Sequence, residues 1–207
     1  MDTQFSEKDS LRVINEMISQ AKSNFQRGSL TVVLFWGYLI SAIAIANFVL
    51  LQILNKPQQS FWVWCITLLG WVASMLIQRK ADRSAIVKTH IDTIVKYTWF
   101  GFGIAVVIFF ISLWILRMQF NVPFIFVTIT PVIMLMCGMA QFITATACRY
   151  KTYYWGAATF WLGALVCVAT TVIFKKTDYQ FLILAAAMVI SFIIPNHILN
   201  SKMQKHV

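Results

Sequence analysis

A chain of 207 residues, 59% hydrophobic, only 12% charged and with a mean hydropathy of +0.73, carries about half the charge that wets a soluble globule of its size. Its net charge of +10 does not point to nucleic acid, because the 17 Lys and Arg fall in short gaps between apolar runs instead of gathering on one face. The fold class expected is all-α: a polytopic membrane bundle of six transmembrane helices paired as three hairpins, with an N-terminal cytoplasmic amphipathic helix.

The chain opens on a polar arm, Met1–Ser29. Within it Leu11, Ile14, Ile18, Ala21 and Phe25 recur every three or four positions, the spacing of a helix with one apolar face. Ser6 with Asp9 three residues on resembles a capping box. Four acids (Asp2, Glu7, Asp9, Glu16) balance four bases, so the apolar face suits a protein surface as well as lipid, where a basic helix is usual. The arm is too long for the charged head of a signal peptide and no A-x-A site follows, so no cleavage is expected.

Crossing about 30 Å of hydrocarbon takes about 20 apolar residues at 1.5 Å each. The runs that qualify are Leu30–Leu54, Ser60–Ile77, Tyr97–Leu116, Val122–Ala147, Tyr153–Phe174 and Phe181–Leu199, and none contains Asp, Glu, Lys or Arg. The short linkers Asn55–Gln59, Arg117–Asn121 and Lys175–Gln180 make each odd-numbered span and its successor a hairpin. Between the second and third spans, Val87, Ile91, Ile94 and Val95 form another stripe, expected to continue into the third. The membrane domain thus covers residues 30–200, and residues 201–207 form a short tail.

Orientation follows from the basic residues. Thirteen lie in the arm, the second-to-third and fourth-to-fifth connections and the tail; Lys56, Arg117, Lys175 and Lys176 lie on the other side. The positive-inside rule puts the thirteen, and with them both termini, in the cytoplasm.

A threefold repeat runs through the spans. Each odd-numbered one opens with two aromatic residues and a glycine: Phe35-Trp36-Gly37, Trp99-Phe100-Gly101 and Tyr154-Trp155-Gly156. Aromatic rings favour the headgroup level, and glycine lets a neighbouring backbone approach. Gly37, Gly101, Gly156 and Gly163 therefore mark a candidate helix seam. The three hairpins, these openings and the closing Ile193-Ile194-Pro195-Asn196-His197-Ile198-Leu199 resemble a group of uncharacterised bacterial six-span inner-membrane proteins. That resemblance implies a bacterial inner membrane and brings no activity, cofactor or site.

Chemistry is marked by what the spans lack. All seven acids lie outside them, which argues against ion-coupled transport, and no span carries the ladder of Arg or Lys that voltage sensing needs. His90, His197 and His206 are not spaced for a haem pair. Cys65, Cys137, Cys148 and Cys167 include no CxxC pair and no zinc spacing, and are expected to be small buried hydrophobes. Arg83 and His90 stand at a separation some ribonucleases use, but in a segment that reads as a pre-membrane helix. No phosphate loop, G-x-S-x-G or H-E-x-x-H occurs. Catalytic residues, metal and cofactors are therefore expected to be none.

What remains at membrane depth is neutral and polar, including Asn47, Gln52, Gln141, Asn196 and His197. Pro131 and Pro195 each remove a backbone donor and are expected to kink their helices. Gln141, Asn196 and His197 lie on spans running toward the same leaflet, so they are candidates to line a cytoplasm-facing pocket. The function expected is a non-enzymatic membrane protein that binds or scaffolds a partner. The alternative is an uncoupled channel or carrier for a small neutral or apolar solute. The partners expected are the lipid bilayer and a membrane or cytoplasmic protein, or a second copy of the chain.

Overall fold

The structure, a computed structural model, describes residues 31–54, 57–84, 90–120 and 127–204. The expected arm helix lies outside these residues, as does the end of the tail. No strand occurs among the described residues, and six helices are long and apolar enough to cross a membrane. The first is α1 (Thr31–Ile53). The second opens as a 3-10 stretch, Pro57–Cys65, and continues as α2 (Ile66–Ser84). Then follow α3 (His90–Gln119), α4 (Ile129–Cys148) and α5 (Lys151–Phe174). The sixth is continuous but has three parts: α6 (Tyr179–Met188), a π-helical turn (Val189–Ile193) and α7 (Ile194–Gln204).

The two prolines behave differently. Pro131 stands in the first turn of α4, where a missing N–H breaks no intrahelical bond, so it begins that helix and does not kink it. Pro195 lies inside the sixth helix, directly after the π turn, where the chain accommodates the lost bond by widening one turn. The tight α4–α5 and α5–α6 connections are turned by Arg149 and Lys175, both left-handed with φ of 51° and 52°.

The sixth helix is the hub of the packing. Gly37 meets Phe192 and Ile193, Ser41 donates to the Ala185 carbonyl at 3.5 Å, and Gln52 donates to Asp178 at 3.2 Å. Numbers rise along α1 as they fall along the sixth helix, so the two lie antiparallel over most of their length. Phe61 and Trp64 reach Phe181 from the second helix, while Trp99 of α3 and Phe160 of α5 both meet Phe192. Around these rings gather Ala44, Met134, Cys137, Ala164, Cys167, Leu184 and Met188, all buried.

Of the pairings from the second helix onward, that of α4 with α5 is the most extensive, and it joins two of the expected hairpins rather than lying inside one. The physical reason is small residues: Gly138 takes the indole of Trp161, and Gly163 takes the tip of Met134. In contrast, α3 is peripheral, with 6% of its apolar window buried against 44% for α4 and for the sixth helix. Cys137 and Cys167 are buried and Cys148 is half-buried, but Cys65 is exposed on the thinly covered second helix, contrary to expectation.

Candidate functional site

In an α-helix each N–H bonds the carbonyl four residues earlier. Pro195 has no N–H, so the Ser191 carbonyl loses its usual donor. The side-chain amide of Gln141, reaching across from α4, donates to that oxygen at 2.8 Å. Ser191 in turn donates its hydroxyl to the Gly156 carbonyl of α5 at 2.9 Å. One helical turn on, Asn196 donates to the Phe192 carbonyl at 2.6 Å and accepts from the hydroxyl of Tyr153. Gln141, Ser191 and Asn196 are each 2% exposed or less. These groups stitch α4, α5 and the sixth helix together along one buried seam.

Gly156 makes the seam possible. A Cβ there would overlap the Gln141 amide and stand 3.0 Å from the Ser191 oxygen. Any larger residue would push the donor away from the carbonyl it serves.

The other proline has a matching glutamine. The Val127 carbonyl stands just ahead of α4, four residues before Pro131, and Gln180 donates to that oxygen at 3.2 Å while also reaching the Thr171 hydroxyl at 2.8 Å. Gln180 was expected in a linker; it lies in the first turn of α6 and is buried. Thus α4 and the sixth helix each carry a proline, and each supplies the glutamine that bonds the carbonyl four residues before the other's proline.

The three candidate pocket residues take different partners in the structure. Gln141 and Asn196 belong to the seam, bonded to helix backbone. His197 turns away from it, exposed, with its Nε2 2.7 Å from the hydroxyl of Tyr38 on α1. A cavity of about 300 Å³ lies elsewhere, between α3 and α4, lined by Ile94, Phe142, Ile143, Thr146 and Ala147. At the carbonyl that Pro195 frees, an amide from a neighbouring helix donates, because glycine at position 156 lets it in.

Of the candidate seam glycines, Gly37, Gly156 and Gly163 stand at close contacts, all with even-numbered helices. Gly101 does not: a Cβ there would meet nothing within 4 Å among the described residues, because α3 presents that face outward. Reading the sequence missed Ser191, Tyr153 and Gln180. The signal available for the first was its position four residues before a proline; nothing local marks the other two.

Some buried polar atoms stay outside this bonding, the Tyr150 hydroxyl among them. Asn47 is fully buried on α1 with neither its amide nitrogen nor its oxygen bonded, and the Gln141 oxygen has no partner either. Among the described residues no group of His, Cys, Asp and Glu is placed to hold a metal ion. The seam's groups donate and accept hydrogen bonds, which fixes three helices in register. The chain matches no family model, no curated protein and no solved structure.

Proposed function

We propose that this chain is a non-enzymatic protein of a bacterial inner membrane that binds or scaffolds a partner protein, or a second copy of itself, with both termini in the cytoplasm. One observation carries the reading: the polar groups at membrane depth are largely consumed in joining helices. Gln141, Ser191, Tyr153, Asn196 and Gln180 all bond other helices, whereas a solute path needs polar groups that face an opening. A bundle so joined suits holding a shape that something else recognises. The bias of thirteen basic residues to four supports the orientation, and the resemblance of the repeat and closing segment supports the bacterial membrane.

The alternative, an uncoupled channel or carrier for a small neutral solute, draws on Asn47, whose unbonded amide is what a permeating molecule would meet. The two readings separate in proteoliposomes. The scaffold reading expects no more permeability to glycerol or urea than protein-free vesicles show, and a stoichiometric protein partner or a stable oligomer in mild detergent. Saturable solute flux, abolished by Asn47→Leu, would sink it.

A further inference from the structure

The groove between α3 and α4 has apolar walls and a basic mouth. Its walls are Ile94, Phe142, Ile143, Thr146 and Ala147, open to the outside of the bundle. They are held in place: Tyr154 meets the Phe142 ring edge-on at 5.4 Å, and Trp161 packs on it at 5.7 Å. The only polar side chain of the lining is engaged, since Thr146 donates to the Phe142 carbonyl at 2.9 Å and accepts from Tyr154 at 3.2 Å. The side chains of the groove therefore offer no hydrogen bond to a peptide or a polar solute. Two residues beyond Ala147 stands Arg149, exposed, and Lys151 opens α5, also exposed. On α3, Asp92 is the acid of the neighbourhood, while Lys96, two residues from Ile94, lies on the other side of that helix. The mouth keeps an excess of positive charge.

We propose that this groove binds an anionic phospholipid, with an acyl chain against Phe142, Ile143 and Ala147 and the phosphate-bearing headgroup at Arg149 and Lys151. The walls select a hydrocarbon chain because they present nothing else. The cations select a negative headgroup, and they sit at a helix end, where headgroups lie. A free phosphate would gain nothing from the walls, and a zwitterionic lipid would gain less at the mouth.

The test uses the full chain in mild detergent, exchanged with equal amounts of phosphatidylglycerol and phosphatidylcholine and examined by native mass spectrometry. The chain should retain phosphatidylglycerol in preference. Arg149→Asn with Lys151→Gln should reduce that preference by about fivefold per cation removed. Asn keeps the left-handed backbone of position 149, and both sites are exposed, so the fold should persist. Ala147→Trp, which fills the groove, should lower retention of both lipids. Lys175→Gln with Lys176→Gln, at the opposite end of α5, should leave the preference intact. Equal retention of the two lipids, an unchanged preference in the Arg149/Lys151 variant, or the same loss in the Lys175/Lys176 variant would overturn the assignment. A dimer retained without phospholipid and lost in the Ala147→Trp variant would place a second copy on the groove and overturn it as well.

Discussion

Gln141 bonds the one carbonyl, that of Ser191, whose helical donor Pro195 has removed. The helix is weakened at that point, and an amide from a different helix makes good the loss. Removing the amide while keeping the proline should leave a buried acceptor without a donor. Gln141→Leu is expected to destabilise the bundle by about 1–2 kcal/mol. Pro195→Ala restores the N–H, so in its background Gln141→Leu should be nearly neutral. Unfolding in detergent, read by circular dichroism across the four members of the cycle, checks this. Additive effects would show that the amide does not serve the proline.

The second exchange, Gln180 to the Val127 carbonyl, should matter less. Pro131 stands in the first turn of α4, and the half-buried Val127 carbonyl lies just ahead of that helix, where water can reach it. Gln180→Leu is therefore expected to cost less than Gln141→Leu, by roughly half. The same unfolding measurement ranks the two, and a larger loss at Gln180 would place Val127 in a drier setting than its position implies.

Glycine substitutions should separate tight contacts from open faces. Gly156→Ala forces the Gln141 amide off Ser191 and meets backbone, so it should destabilise by about 1–3 kcal/mol. Gly163→Ala meets only the flexible end of Met134 and should cost less, while the bulkier Gly163→Leu should cost about as much as Gly156→Ala. Gly101→Leu should be nearly silent. Equal tolerance at Gly156 and Gly101 would remove the seam as a source of stability.

Asn47 is expected to respond in the opposite direction. A buried amide with no partner opposes folding, so Asn47→Leu should be neutral or stabilising by about 1 kcal/mol. Destabilisation of that size would mean the amide has a partner when folded, such as a bound solute, and would favour the transport reading.

Orientation is open to a direct check. Reporter fusions after Val207 should be active only as cytoplasmic reporters, as the distribution of Lys and Arg requires. Periplasmic activity at that position would invert the topology.

Composition and spacing alone determined the number and placement of the helices. A bilayer leaves an apolar run of about 20 residues few ways to satisfy its backbone other than helix, so span edges such as Lys151–Phe174 were legible within a few residues. The carbonyls four residues upstream of Pro131 and Pro195, which no proline N–H can meet, were equally legible. Which group would bond them was not. Gln141 lies 50 residues from Ser191 and Gln180 lies 53 from Val127, and no local pattern links such pairs. The same holds for the glycines: Gly101 and Gly156 share one motif, yet one faces outward and the other admits an amide. Local sequence sets what a helix carries, but the rotation and neighbours of that helix decide what each residue meets. Those come from packing all six together, and here the sixth helix arranges the rest.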